Sequence, residues 1–410
     1  LEKFKKISFL PADVLIPRPG TDMSKWSVVA CDQFTSQPDY WDKVKQIAAD
    51  SPSAYHIIFP EVYLEKGSAD ERIKKINKTM SDYIKSGIFT KLESSFVYVE
   101  RKLPGGSMRR GLVGAIDLEA YDYKPGSKSL IRATEKTVLE RIPPRVKIRI
   151  NAPLELPHAM LLIDDERKEI IERLSSQKSK FKVVYDFELM QNGGHITGYH
   201  ISKEDAGEIA EGLYTLMKNK DFLYAVGDGN HSLAAAKECW EQKKNTLSAD
   251  EAKHHKARYA LVELVNIHDD SLVFEPIHRV VFGCEPESLI KELDDYCSKL
   301  TGDEKTIKYV YGGKEMELSI KTPPGELALS CLQSFLDLYV SNHNCKIDYI
   351  HGKDVVLRLA SSAGNIGFIL PAMQKCELFP AVSAGGALPR KTFSMGEANE
   401  KRYYLECREI

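Results

Sequence analysis

The strongest constraint on the fold is a pair of alternating segments, FKVVYDFELM and HITGYHIS, joined by Asn192-Gly193-Gly194. Side chains in a strand point alternately to two faces, and an Asn-Gly pair supplies the positive φ that tight hairpins need, so this stretch reads as two antiparallel strands. The same logic marks FVYVERKL and MRRGLVGAIDL around the turn at 104–106, and TIKYVYGGKEMELSI further on. Three hairpins exclude an all-parallel sheet. Helix patterns over 40–49, 68–86, 133–141, 164–177, 203–218, 248–258, 286–300 and 326–340 lie among further strand signals, including WSVVAC, RVKIRI and RYALVELVNI. The fold class is therefore mixed α/β with antiparallel hairpins.

A chain of 410 residues is too long for one small core. The pattern changes after LVFEPIHRVVFG, which places a main α/β domain over 1–284 and a smaller α+β domain over 285–373. The segment 374–410 ends in RYYLECREI, a strand-like stretch that is expected to return to the main domain and complete its sheet. Lys and Arg number 57 against 59 Asp and Glu, a net charge of -2, which argues against a general polyanion binder. Nucleic acid is thus disfavoured as a partner and a small-molecule substrate preferred. No apolar run reaches bilayer-spanning length, so no membrane partner is expected. The eight cysteines form no C-x-x-C pair and read as reduced thiols of a cytoplasmic protein.

The densest chemical signal is LYAVGDGNHSLAAAKECW, residues 223–240, which runs from an apolar strand through a glycine turn into an Ala-rich helix. A helix start offers unpaired N–H donors and the positive end of the dipole, a combination that favours anions. Gly227 and Gly229 let the backbone bend and approach a ligand closely, with Asn230 and Ser232 as neutral donors. His231 can donate to a phosphate oxygen or shuttle a proton, and Asp228 can hold a metal ion or accept a proton. The competing structural reading makes Asp228 and Asn230 turn residues and Ser232 a helix cap. The surplus of polar groups over what a turn needs favours function.

A second constellation is IRATEKTVLERIPPRVKIRI, residues 131–150. Read as a strand, RVKIRI puts Arg145, Lys147 and Arg149 on one face, near Arg132 and Arg141 in sequence. This face can bind an anionic substrate, with Glu135 from a preceding helix as metal ligand or base, or it can be a solvated sheet face with ordinary ion pairs. In EPIHRVV, His278 and Arg279 are candidates to line a cleft, against a structural histidine bonded to a backbone carbonyl. Asp32, in CDQFTS after a strand, sits where ligands of α/β proteins often bind, or serves as a turn acid. His158 follows Pro157 in a loop and has no obvious partner. The chain carries no G-x-x-x-x-G-K-[ST], no G-x-G-x-x-G after a strand, no H-E-x-x-H and no G-x-S-x-G, so Walker-type kinases, standard dehydrogenases and serine hydrolases are disfavoured.

With LYAVGDGNHSLAAAK, SLVFEPIHRVV, GLVGAIDLEAYDY and LPRKTFSMGEANEKRYYLE, the chain resembles a bacterial and archaeal family, domain of unknown function 1015. Its central box is similar to the D-G-x-H-R box of the ParB and sulfiredoxin-like superfamily, which includes sulfiredoxins, ParB proteins that bind CTP, and a free-serine kinase. The match is Asp228, Gly229 and His231, while the box arginine is Ser232 here. The resemblance implies a ParB/sulfiredoxin-like main domain, a nucleotide (ATP or ADP) with Mg²⁺, and a small substrate, with serine-related metabolites favoured. Arg279 or a residue of the 132–149 patch then replaces the box arginine, or nucleotide turnover has been lost. Two functions follow as expectations: a nucleotide-dependent phosphotransferase, or a non-catalytic module that binds a nucleotide or phospho-metabolite.

Overall fold

The computed structural model describes residues 2–64, 68–218 and 220–410. The chain divides into two compact units. The first comprises Leu1–Ala133, Thr137–Leu272 and Glu397–Ile410, and the second Thr134–Lys136 and Val273–Gly396. No helix among the described residues is long and apolar enough to cross a membrane.

The first unit is built on one mixed sheet. Its principal strands are β1 (Phe89–Lys102), β2 (Met108–Asp117), β3 (Ile131–Ala133), β4 (Met160–Ile163), β5 (Lys182–Glu188), β6 (His195–Ser202), β7 (Tyr224–Asp228) and β8 (Tyr259–Asn266). They lie in the order β5-β6-β1-β2-β8-β4-β7-β3. The run from β5 to β8 is antiparallel, as the hairpin signals require. Beyond it β4 is parallel to β8, β7 antiparallel to β4, and β3 parallel to β7.

Period-two alternation explains how both faces of this sheet are buried. In β1, Phe96 and Tyr98 enter one core with Ile7, Leu213 and Trp240. Val97 and Val99 enter the opposite core with Trp26, Trp41 and Tyr403. A strand covered on both sides reads as a nearly continuous apolar run, which is the character of FVYV.

The segment 131–150 differs from the sequence expectation. RVKIRI is not a strand: α1 (Ile142–Arg149) is a helix, so Arg145, Lys147 and Arg149 do not share a sheet face. Pro143 and Pro144 sit in its first turn, where the missing N–H groups have no intrahelical partner to lose, so they suit a helix start. Correspondingly, 133–141 is not a helix but the end of β3, an irregular stretch and a 3₁₀ turn, Leu139–Arg141. The helix pattern at 164–177 is confined to Ile171–Gln177, because the Asp165 carboxylate accepts the Ile170 N–H and closes the preceding stretch as a turn.

The second unit carries a sheet of six antiparallel strands around β9 (Phe274–Phe282), whose neighbours are Lys346–His351, Asn365–Ile369 and Phe393–Met395. The expected main domain, 1–284, includes β9, whereas the structure assigns β9 to the second unit. Helices Pro286–Cys297 and Ala328–Asn342 pack on one face of this sheet, and Lys353–Ala360 on the other.

The segment 397–410 lies in the first unit and touches the main sheet at one bridge, Cys407 with Leu15, whose backbone groups exchange hydrogen bonds of 2.8 Å. Tyr403–Tyr404 pairs with Val28–Val29, and Arg408–Glu409 with Leu154–Glu155. Charge, more than backbone pairing, holds it. The buried Arg402 guanidinium contacts Glu263 and Glu406 and donates to the Pro157 carbonyl at 3.1 Å. Arg101 and Arg109, both buried on neighbouring strands, donate to the carbonyls of Asn399, Glu400 and Lys401 at 2.6–3.1 Å. Removing one partner of a buried pair leaves the others desolvated and unpaired. Arg402→Met is therefore expected to lower the unfolding free energy by about 3–5 kcal/mol, read from the denaturant midpoint of the full chain.

Candidate functional site

The glycine turn after β7 fixes the geometry of the site. Gly229 has φ +76°, a left-handed conformation, and a Cβ there would stand 2.8 Å from Ala159 Cα. Only glycine fits both demands. From this turn starts α2 (Asn230–Lys244), with Gly229 as its N-cap and therefore no side-chain cap for its first N–H groups. Asn230 Oδ1 is buried at the same point without a hydrogen-bond partner. Gly227 and Asp228 close the strand, and the Gly229 N–H donates to Asp228 Oδ1 at 2.9 Å.

Around this helix start the first unit gathers charges from four separate segments. Lys401 Nζ lies 3.3 Å from Asp228 Oδ2. On α1, Arg145 pairs with Glu61. Asp32 Oδ2 lies 4.0 Å from His158 Nε2, and Asp32 Oδ1 accepts from Gln33 Nε2 at 2.9 Å. Burial pushes the Asp32 carboxyl upward, but His158, the Gln33 hydrogen bond, Lys401 and Arg145 outweigh it and hold Asp32 below its ordinary value. For Glu61 burial wins over Arg145, and the nearby Asp32 charge adds to it, so its carboxyl is raised. Two acids within electrostatic reach of each other are thus driven to opposite protonation tendencies, the usual basis for dividing acid and base roles.

Two histidines are fixed in orientation. His231 Nε2 accepts the Val138 N–H at 3.2 Å, so its proton resides on Nδ1. Burial first, then Arg145 and Arg141, depress its pKa to about 4, and the imidazole is neutral at physiological pH. His158 Nδ1 lies 2.7 Å from the Tyr404 hydroxyl, whose oxygen accepts the Cys31 N–H at 3.3 Å. Burial keeps Tyr404 protonated, so Tyr404 donates to Nδ1 and leaves the His158 proton on Nε2, toward Asp32. Cys31, pushed up to about 12 by burial and then by Asp32, is a poor nucleophile.

Of the residues singled out in the sequence, Asp32, Arg145, Gly227, Asp228, Gly229, Asn230, His231 and Ser232 belong to this neighbourhood, with Arg145 arriving on a helix. Arg132 points elsewhere: it donates to the Ser129 carbonyl at 3.1 Å, approaches the Asp221 carboxylate at 3.7 Å and stacks on Phe222, at the opposite end of β7 from Asp228. Glu135, His278 and Arg279 lie in the second unit. Arg279 is fully buried there, donating to Gln333 Oε1 at 3.0 Å and to the carbonyls of Ile277 and Arg390, over the Tyr349 ring. Burial lowers it to about 10, against the compensating influence of Tyr349 and Glu135. His278 accepts the Leu370 N–H through Nδ1, so its backbone partner is an amide rather than a carbonyl. Glu135 forms a parallel bridge with Leu388.

Sequence reasoning set His158 aside as partnerless and passed over Glu61, Lys401 and Tyr404. For the last two a signal existed, since EANEKRYYLE packs Lys, Arg and two tyrosines into a short segment far from the box. For Glu61 and His158, in a 3₁₀ turn and an irregular loop, no periodicity could mark them.

Behind the helix start lies a pocket of about 120 Å³, lined at its polar side by Cys31, Glu61, Arg145, His158, Ser232 and Tyr404. The arrangement offers anion-binding donors (helix N–H groups, Lys401, Arg145, His231 Nδ1–H) beside an ionised carboxylate, a combination suited to phosphate esters.

The family model described as "Protein of unknown function (DUF1015)" matches residues 15–339, and the chain belongs to that family. No curated protein matches it. Among solved structures it is similar to a free serine kinase in complex with AMP, at 12% identity and TM-score 0.38, covering 71% of this chain and 90% of that one. It is similar also to a conserved hypothetical protein from Pyrococcus furiosus, at 11% identity and TM-score 0.34, covering 72% and 94%. A third is SbnI with C-terminal truncation from Staphylococcus aureus, at 14% identity and TM-score 0.34, covering 68% and 84%. At these levels the likenesses assign no chemistry to the chain.

Because His231 is neutral in the fold at pH values where the unfolded chain protonates, the unfolded state binds more protons. The stability tied to His231 is complete above its unfolded pKa of about 6.5 and is lost as pH falls toward about 4. NMR titration of the full chain is expected to place His231 near 4, and Arg145→Ala to raise it part of the way toward 6.5. Gly229→Ala is expected to cost about 1–3 kcal/mol in thermal or chemical unfolding, from the positive φ and the Ala159 contact.

Proposed function

We propose that this member of the DUF1015 family is a nucleotide-dependent phosphotransferase acting on a small metabolite, with a ParB/sulfiredoxin-like phosphate site at the start of α2. The observation that carries the reading is the position of Lys401, 3.3 Å from Asp228 at an uncapped helix N-terminus, within the electrostatic reach of Asp32. A lone turn needs none of this.

In this mechanism the first-turn N–H groups of α2, Lys401 and Arg145 bind the transferred phosphate, and His231 donates through Nδ1–H. Arg145 takes the place of the box arginine that Ser232 replaces, since both line one pocket. Asp32, held ionised, accepts the proton of the attacking hydroxyl as its oxygen bonds to phosphorus and the bond from phosphorus to the nucleotide breaks. His158, with its proton set on Nε2 by Tyr404, orients that carboxylate. The base role assigned to Glu135 passes to Asp32 in this reading. Asp228 supplies a hard oxygen donor of the kind that suits Mg²⁺, which when bound would neutralise phosphate charge. Phosphoryl transfer depends mainly on positioning and electrostatics, which such a set can provide.

Ser232 in place of arginine also favours a second reading, in which the same site binds nucleotide without turnover. The two separate on whether ADP accumulates from ATP when a small acceptor is present.

A thermal-shift and calorimetry panel of ATP, ADP, CTP, phosphoserine and serine, each with and without Mg²⁺, tests the site. A nucleotide at a hundredfold its Kd is expected to stabilise the fold by about 2.7 kcal/mol. Lys401→Met and His231→Ala are expected to weaken or abolish that shift. Absence of a shift with every nucleotide, in folded protein, overturns the phosphate site.

A further inference from the structure

The pocket beside Ser232 has two chemically distinct sides. Its polar side is a connected set: Glu61 pairs with Arg145, the Glu61 N–H donates to the Cys31 carbonyl at 2.8 Å, and Cys31 joins Tyr404 and His158. The remaining wall is hydrocarbon, with Ile57, Ile58, Phe59, Met80, Ile148 and Leu156 among its residues. Two other charged lining residues, Arg149 and Glu155, are spent on each other, and Glu155 also accepts from Arg408 Nε at 2.6 Å and from the Leu261 N–H at 2.9 Å. Their charges are already paired within the wall.

We infer that this pocket takes the apolar tail of the acceptor, and that the acceptor is a short aliphatic hydroxy compound of about four to six carbons. The inference rests on the phosphotransferase reading for the fate of the hydroxyl, but the pocket's selectivity is readable without it. A polar or charged group pressed against Ile58, Phe59 and Met80 would lose its water without gaining a partner. An alkyl tail there loses nothing and removes apolar wall from water. Size sets the length. A cavity of roughly 150 Å³ holds a six-carbon ring, whereas nucleotide- and drug-sized ligands use roughly 300–1,000 Å³. At about 120 Å³ the pocket matches a tail of about five carbons. The acceptor's hydroxyl then sits at the polar side, where Ser232 lies and where His158 reaches toward Asp32.

Ile148 on α1 is half-buried and lies on the apolar wall, so its size can be changed without emptying the core. The experiment uses the full chain and the series of 3-hydroxy acids from 3-hydroxypropanoate to 3-hydroxyoctanoate, with binding measured by calorimetry without nucleotide. Affinity is expected to rise about three- to tenfold per added methylene until the tail fills the pocket, then to fall. Ile148→Phe should move the optimum to a shorter acid, and Ile148→Ala to a longer one. A flat profile, no binding by any member, an optimum that neither variant moves, or displacement by adenosine in preference to every acid overturns the inference. The ADP-induced thermal shift, measured in parallel on the unaltered chain, reports on the phosphate site separately. A chain-length optimum without an ADP shift would leave the pocket assigned and remove the phosphotransferase reading. An ADP shift without a chain-length optimum would do the reverse.

Discussion

The first unit depends on a desolvated guanidinium. Arg402 is buried between Glu263 on β8 and Glu406, and Tyr185 on β5 donates to the far oxygen of Glu406 at 2.6 Å. A charge in that position is tolerable only because every neighbour answers it. Hydrophobic packing alone would let the segment 397–410 slide, since its strand pairings are only two residues long. The ion network gives it one register. Arg402 is flanked by Lys401, which meets Asp228, and by Tyr403 and Tyr404, the second of which sets the proton on His158. Stability and the candidate site therefore share one short stretch of chain.

The site's electrostatics follow from the same economy of burial. Cations converge from α1 and from the C-terminal segment, while acids come from the Asp32 loop, the Glu61 turn and the end of β7. None of these groups acts alone. Arg145 depresses His231 and helps to hold Asp32 ionised, yet it cannot overcome the burial of Glu61. Neutral histidine, ionised aspartate and elevated glutamate thus coexist within one cluster because each has a different balance of solvent loss and neighbouring charge.

The sequence disclosed those parts of this arrangement whose physics is local. Alternation identified the hairpins β1–β2 and β5–β6, and the glycine turn marked the box because a left-handed residue and a helix start are short-range requirements. Long-range pairing was invisible. Lys401 lies 173 positions from Asp228 (401 − 228 = 173) and carries no local mark of its partner. His158 looked partnerless because Tyr404 and Asp32 reach it only through the fold. The misreading of RVKIRI has a different origin. Alternating Arg, Lys and Arg fits a strand face, but Pro143 and Pro144 also suit a helix start, and the packing of Ile142 and Val146 into the core decided for the helix. Arg279 misled for the opposite reason: its alternation in a strand was read correctly, but the strand encloses the guanidinium instead of presenting it to a cleft.

The first unit is discontinuous, with the whole stretch Val273–Gly396 spelled out between β8 and the residues that lock Glu263. During synthesis, which delivers a chain from its N-terminus and lets domains fold as they emerge, Glu263 leaves the ribosome well over a hundred codons before Arg402. Until then Glu263 has only the more distant charges of Arg101 and Arg109 to answer it, and the Asp228 carboxylate lacks its lysine. The candidate cluster therefore cannot be complete until the chain has passed through the whole of the second unit and returned to the first, because Lys401 and Arg402 lie beyond it.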